Sequence, residues 1–150
     1  MAEEADKTDL IRIESPRFGT VEVDAAAVIH FETGLAGFPD CSRFVVLDHD
    51  RDTPLRWLQS IDEPALAFVV VEPEQVLPRY EVDVPGPVMK QIGWDAEVTA
   101  ADVAVMVILN CDASELTANL RAPILVNVRT RSAFQLILDD PSIPIRHPIG

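Results

Sequence analysis

The side chains that could perform catalysis or bind metals are few in this sequence, and they are scattered. The 150 residues include three histidines and two cysteines: His30, His49, His147, Cys41 and Cys111. No histidine stands at a metal-ligand spacing from another histidine or a cysteine, and no nucleophile has a recognisable base. Phosphate-binding loops, dinucleotide fingerprints, serine-hydrolase elbows and zinc-protease helices are also absent. We therefore predict a protein that is not an enzyme and needs no cofactor or metal.

The segment "DHDRDTP" (48–54) comes closest to a cation site. Asp48, Asp50 and Asp52 imitate the first three ligand positions of an EF-hand loop. The sixth position is Thr53 where glycine is needed, and the twelfth is Gln59 where a bidentate glutamate is needed. The flanking residues also suggest strands rather than helices. We interpret the segment as a charged hairpin tip.

A polar pair interrupts the apolar stretch "RWLQSIDEPALAFVVVEPE" (56–74). If residues 55–61 form a strand, Trp57, Gln59 and Ile61 share one face and Leu58 and Ser60 share the other. A buried amide without partners costs about 1–3 kcal/mol. An active site, a recognition surface and a structural hydrogen bond could each explain Gln59. We predict that its amide is largely buried and bonded to the backbone of a neighbouring loop.

The elements around these residues suggest short strands. Alternation of apolar and polar residues predicts half-buried strands at "IRIE", "TVEVD" and "YEVDV" (80–84). Further strands are predicted at 28–32, 43–49, 55–61, 65–71, 103–109, "TANL", "ILVNV" and "FQLIL". Gly34 and Gly37 can adopt positive φ in the loop before residue 43. Pro87 and Gly93 bound a helix of at most two turns. We predict an all-β, mainly antiparallel pseudobarrel or open sandwich with one or two short helices.

Length and composition suit one domain with a substantial core. We expect residues 1–9 to be a flexible acidic N-terminus and residues 10–150 to form a single β domain. Apolar residues make up 48% of the chain, but no run is long enough for a transmembrane helix. The acidic start does not resemble a secretory signal, so we expect a cytoplasmic protein. Reduced thiols fit that compartment better than a disulfide, which the sequence leaves open.

The charge of the chain is strongly negative and uneven. The net charge is −13, with 23 acidic and 8 basic residues in positions 1–115 and 2 acidic and 4 basic residues in positions 116–150. Such a chain repels phosphate backbones, so we expect no direct nucleic-acid binding. The acidic part could be a solvated surface, or it could be a face that recognises a basic protein.

Several segments, in order, resemble the FliW family of bacterial flagellar assembly factors. These are "FGTVEVD", "IHFETGLAGFPDCSRFVVLD", "WLQSIDEPALAFVVVEP", "YEVDV", "TANLRAPILVNVRTRSAFQLIL" and "IPIRHPI". They correspond to family patterns such as F-x-x-G-L-P-G-F, W-L-Q-S and T-x-N-L-x-A-P-I-x-x-N, and they span roughly residues 18–149. Ala36 departs from the family's usual proline, which changes loop stiffness, and Val128 departs after Asn127. Residues 85–116 match only in pattern.

The resemblance implies a binding protein with a mostly antiparallel β pseudobarrel. Members of this family bind flagellin and the carbon storage regulator CsrA, a small basic RNA-binding dimer that represses flagellin translation. The resemblance implies that this chain relieves that repression by exchanging partners. We expect a monomer that contacts neither membrane nor nucleic acid.

The matched segments contain the candidate contact residues. The apolar, amide and basic candidates are Leu35, Phe38, Trp57, Leu58, Gln59, Asn119, Arg121 and Asn127, and the acidic candidates are Glu32, Asp48, Asp50 and Glu72. Each has a competing structural interpretation, since aromatics anchor cores, amides satisfy turns and single acids are usually just solvated. The alternative functions are a small ligand-binding barrel and another kind of protein-interaction module, and the ligand-binding barrel would need an apolar cavity larger than ~300 Å³. The strands contain enough Phe, Val and Ile that we expect a closed core instead.

Overall fold

The computed structural model describes residues 10–48, 53–80, 85–91, 93, 102–112 and 115–149, with Gln91, Cys111 and Asp112 described in backbone only. Its strands are β1 Leu10–Ser15, β2 Gly19–Asp24, β3 Ile29–Phe31, β4 Arg43–Asp48, β5 Arg56–Ser60, β6 Ala67–Val71, β7 Val103–Asp112, β8 Glu115–Ala118, β9 Ile124–Asn127, β10 Ser132–Gln135 and β11 His147–Pro148. Helix α1 is Gly86–Gln91, and Ala25–Ala27 and Pro73–Gln75 form short 3₁₀ turns. The predicted all-β fold with short helical segments is confirmed.

Seven of these strands close into a ring. Their order is β7-β6-β5-β4-β3-β10-β9, and β9 pairs again with β7. A ring with an odd number of strands cannot alternate direction all the way round, so one neighbouring pair must be parallel. That pair is β3 and β10, where His30 faces Ser132 and Phe31 faces Ala133. Strand β8 lies outside the ring, where it pairs antiparallel with the last residues of β7. Strand β11 pairs antiparallel with β8.

The inward residues of the strands form an apolar cluster inside the barrel. Phe31, Phe44, Leu58 and Ile124 are fully buried there, and the Phe31 and Phe44 rings meet edge to face at 5.3 Å between centroids. The period-two alternation that predicts the strands also places these residues on one side. The expected apolar core is therefore present.

Three groups of residues pack against the outer surface of the barrel. The β1–β2 hairpin lies over β4, with Ile13 and Val45 in one apolar cluster. Helix α1 places Val88 against Leu125 of β9, and residues 72–80 and 140–149 cover β6, β7 and β8. Strand β9 is buried at every residue because it is covered on both faces, which explains why its sequence is not alternating.

The two ends of the barrel differ. At one end the loop of residues 32–42, which we call the plug loop, inserts Leu35 and Cys41 into the interior cluster. The other end, which we call the mouth, holds the end of β6, the start of β7 and the segment between β9 and β10. Cys41 is a buried free thiol. Among the described residues no helix is long and apolar enough to cross a bilayer.

Candidate partner-binding site

The plug loop presents exposed apolar side chains at the closed end of the barrel. Phe38 is 39% exposed and its inner edge packs against the Phe68 ring at 5.6 Å between centroids. Ile137, which is 59% exposed, lines a shallow depression of about 310 Å³ together with the plug loop. Glu32, Asp40 and Glu63 are exposed on the plug loop and on the adjoining turn. We call Ala36–Asp40, Ile137 and these acids the plug-loop face. An apolar centre with an acidic rim is an arrangement suited to a basic protein partner.

A tight turn holds Phe38 at the tip of the plug loop. Leu35 and Phe38 exchange backbone hydrogen bonds of 3.3 and 2.8 Å across Ala36 and Gly37. Gly37 has φ +86°, the value that a type II turn requires at its third residue. Proline is favoured at the second residue of such a turn, where this chain has Ala36. The Ala36 N–H donates to Gln135 Oε1 at 2.8 Å, a bond that proline could not make.

Gly34 allows the plug loop to fold back on itself. Its φ is +70°, and a Cβ at this position would lie 2.7 Å from the carbonyl oxygens of both Phe38 and Pro39. The sequence indicates that Gly34 and Gly37 can adopt positive φ, and both do so in the structure. The close approach at Gly34 depends on tertiary structure and could not be predicted from the local sequence.

Asp62 ties the plug loop to the turn after β5. Its carboxylate accepts hydrogen bonds from the Ser42 and Arg43 backbone N–H groups at 2.9 Å each, and from Arg43 Nε and Nη2 at 3.0 Å each. Burial raises the pKa of Asp62, but the Arg43 and Ser42 N–H groups together with the Arg43 guanidinium outweigh it and lower the pKa below 3.8. Asp62 and Gln135 hold the plug loop in place through these hydrogen bonds, and neither residue is among the candidates predicted from the sequence. Their only signals were the turn sequence "DEP" and the glutamine of "FQLIL".

Gln59 is fully buried and bonded to a neighbouring loop, as the sequence predicts. Its Nε2 donates to the carbonyl oxygens of Pro64 at 2.8 Å, Ser60 at 2.9 Å and Leu66 at 3.3 Å. Ser60 Oγ accepts the Glu63 N–H at 2.9 Å. The Gln-Ser pair therefore holds the turn of residues 60–66, which in turn supports the plug loop through Asp62.

Trp57 lies on the outer face of β5, next to the β1–β2 hairpin. Its ring meets Phe18 edge to face at 5.4 Å, and the Arg17 guanidinium lies 4.8 Å from the ring centroid. Leu58, on the opposite face, is fully buried inside the barrel. Both side chains thus contact the fold itself, and only half-buried Trp57 retains a surface that a partner could touch.

The three candidates after residue 118 organise backbone turns. Asn119 Oδ1 accepts the Arg121 N–H at 3.1 Å, and Arg121 holds the C-terminal segment through bonds to the Ile143 and Pro141 carbonyl oxygens at 2.8 and 3.0 Å. Asn127 is fully buried and accepts the Arg129 and Thr130 N–H groups at 3.0 and 3.3 Å. Asn127, Leu58 and Gln59 are fully buried and Leu35 is 3% exposed, and a contact role for these four residues stays a prediction.

The acidic candidates do not form one cluster. Glu32 follows β3 at the plug end, whereas Asp48 and Glu72 are exposed at the mouth. Asp48 lies 3.9 Å from Arg56 Nε, and both side chains are largely exposed. Asp50 and the rest of the 49–52 segment lie outside the described residues, so the hairpin-tip interpretation stays a prediction. A partner that contacts only one end of the barrel would therefore meet only some of these acids.

Comparison with known proteins gives a consistent result across most of the chain. A family model described as "FliW protein" matches residues 12–149. The chain is 39% identical to the flagellar assembly factor FliW of Bdellovibrio bacteriovorus over 91% of its own length and 78% of that protein. It is 37% identical to that of Caldicellulosiruptor bescii, covering 90% and 88% of the two chains. A crystal structure of the flagellar assembly factor FliW superposes with a TM-score of 0.81 at 35% identity, covering 92% of this chain and 96% of the other.

Proposed function

This chain belongs to the FliW family of flagellar assembly factors, and on that premise we propose that it regulates flagellin production by binding two alternative protein partners. The partners are flagellin and the basic translational regulator CsrA. The family match over residues 12–149 is the observation that carries the proposal. In this proposal the protein acts in the cytoplasm as a monomer, by binding and not by catalysis.

The proposed mechanism is an exchange of partners. When flagellin is scarce, the free factor captures the regulator, and the regulator releases the flagellin message. When flagellin accumulates, it occupies the factor and repression resumes. If the bound factor weakens the regulator's grip on RNA, then RNA must weaken the regulator's grip on the factor by the same amount.

We propose the plug-loop face as the surface that meets the regulator. Phe38 and Ile137 supply exposed apolar area, and Glu32, Asp40 and Glu63 supply negative charge around it. Asp62 contributes little net charge there because Arg43 neutralises it at 3.0 Å. An acidic rim accelerates encounter with a basic protein, and an apolar centre slows dissociation.

Binding kinetics with purified regulator and flagellin test the proposal. Glu32→Lys should slow association with the regulator more than Glu115→Lys, the same change on β8 outside the ring. Asp48→Lys, Asp50→Lys and Glu72→Lys report whether the mouth end also attracts the regulator. Raising the salt concentration to about 0.5 M should slow association with the regulator. The Debye length is then roughly 5 Å, so charges on the two proteins attract each other only at short range.

An aromatic truncation tests the apolar centre. Phe38→Ala should raise the regulator's dissociation rate by about tenfold or more. Leu77→Ala is the matched control, since Leu77 is 38% exposed against 39% for Phe38 but lies on the segment covering β6 and β7. Equal effects of the two truncations would reject the plug-loop face. Absence of binding to both partners at low and high salt would reject the proposed function itself.

A further inference from the structure

The mouth of the barrel contains a cavity of about 390 Å³. Its floor is formed by interior residues of four strands, Ile29, Val46, Met106 and Val126, and its rim includes Arg56, Glu72, Glu74 and Arg131. The volume falls in the range of small-molecule sites. The closed core expected from the sequence is therefore present at the plug end, while the mouth has room for an apolar group.

The charges on the rim are arranged asymmetrically. Arg56 opens β5, and Glu72 and Glu74 follow β6, its neighbour in the ring. Arg131 precedes β10. Around the ring, β3 and β4 lie between β10 and β5, and β9 and β7 lie between β10 and β6. Arg56 lies 3.9 Å from Asp48, and in the order of strands around the ring the two glutamates are closer to Arg56 than to Arg131. Among the described residues Arg131 makes no salt bridge.

Arg131 has two further unusual features. It is the one non-glycine residue with positive φ in the described part of the chain, at +63°. Its Nη2 donates to the Ala27 carbonyl oxygen at 2.9 Å, but its Nε is buried with no partner among the described residues. A buried donor without a partner on a charged group lowers the stability of the fold. A non-glycine residue with positive φ also costs conformational energy, and such residues cluster at functional sites.

We propose that the mouth binds a ligand with one carboxylate attached to an apolar stem. The carboxylate accepts hydrogen bonds from the Arg131 guanidinium after a small turn of its side chain, and the stem covers Val46, Met106 and Val126. Charge-assisted bonds of this kind are strong, and arginine matches the planar carboxylate. The two glutamates repel groups with several negative charges, so phosphates and nucleic acids are unsuitable occupants.

The same chemistry could come from a small free acid or from the carboxyl end of a polypeptide. Sodium octanoate represents the first source and acetyl-glycyl-leucine the second, with octanol and the peptide amide as uncharged counterparts. We expect octanoate or the free peptide to raise the melting temperature of the protein saturably, and the uncharged counterparts to bind at least about tenfold more weakly. If octanoate binds more tightly, the natural ligand of the mouth is a small free acid. If the peptide binds more tightly, the natural ligand is the carboxyl end of a polypeptide.

Variants place the site within the molecule. Arg131→Gln should weaken binding of the acid about tenfold or more, whereas Arg56→Gln should change it less than about threefold. Ala104→Trp, at an exposed residue lining the cavity, should block binding. The comparison of acid with uncharged counterpart uses the unmodified chain and so does not depend on the folding of any variant. Equal binding of octanol and octanoate, no binding of either acid, or an affinity unaffected by Arg131→Gln or Ala104→Trp would overturn the proposal.

Discussion

Replacing Gln59 tests whether the polar pair in β5 is a structural device. In Gln59→Leu the Pro64 carbonyl loses its 2.8 Å bond to Nε2. The Leu66 carbonyl is less affected, because it also accepts the Ser60 N–H at 3.0 Å. A stranded, partly buried acceptor costs about 1–3 kcal/mol, and the added apolar burial of leucine offsets part of this. We expect a net loss of about 1–2 kcal/mol, or roughly 2–8 °C in melting temperature.

Gln59→Glu sharpens the test because it has nearly the same shape. A glutamate cannot donate to the three carbonyl oxygens that Nε2 meets, and a buried carboxylate facing them is opposed electrostatically. We expect Gln59→Glu to be less stable than Gln59→Leu, and its deficit to grow as the pH rises and favours ionisation of the introduced carboxyl.

Urea and thermal denaturation followed by circular dichroism measure these differences, with partner binding measured below the unfolding range. We expect the folded fraction of either variant to bind partners as the parent does. A Gln59→Leu protein that melts within about 1 °C of the parent but fails to bind would refute the structural interpretation. It would show that Gln59 contacts a partner.

Three other properties can be tested directly. In denaturant unfolding, Gly34→Ala should lower the free energy of unfolding by at least about 1 kcal/mol more than Gly19→Ala. Both glycines have positive φ, but only at position 34 would a Cβ lie against backbone oxygens. Equal losses of stability would contradict the close approach at Gly34. Tyr80, the single tyrosine, donates its hydroxyl to the Leu120 carbonyl oxygen, and burial raises its pKa to about 12. Its raised pKa contributes stability that is complete below pH 10 and is lost as the pH rises towards 12, so absorbance titration should show phenolate forming near pH 12 and not near pH 10. Calcium or magnesium at about 1 mM should leave the melting temperature unchanged, whereas a saturable rise abolished by Asp50→Asn would indicate a cation site in residues 48–54.

The strands could be predicted from sequence because their signal is local. Alternation places Ile11 and Ile13 on one face of β1, and the length and β-branched content of residues 103–109 distinguish a strand from a helix. Most differences lie at strand ends. The predicted strand 134–138 is in fact Ser132–Gln135, although Leu136 and Leu138 still donate to the Pro123 and Arg121 carbonyl oxygens at 2.9 and 2.8 Å. Beyond Tyr80, the predicted strand 80–84 lies outside the described residues.

Barrel closure could not be predicted because it depends on pairings far apart in the chain. The parallel contact of β3 with β10 joins His30 to Ser132, and the closing contact joins Val103 to Asn127. No local pattern encodes such partners. The mouth cavity follows from the same closure, which is why the sequence led us to expect a filled barrel. Arg131 is one of the four basic residues after position 115, and neither its backbone conformation nor its unpaired Nε can be read from neighbouring letters.

The family motifs identify the fold more directly than they identify the contact surface. In "WLQS" the leucine fills the barrel, the glutamine and serine hold the turn of residues 60–66, and the tryptophan packs against the hairpin. In "TANLRAPILVN" both asparagines close backbone turns. Polar residues in such motifs satisfy buried backbone groups, a role that constrains residue type as strongly as partner binding would. Specificity for a partner is therefore better sought among side chains that the fold does not need, such as exposed Phe38 and Glu32 at the plug end and Glu72 at the mouth. Substitutions there can separate binding from stability, whereas substitutions of the buried polar residues in the motifs change stability.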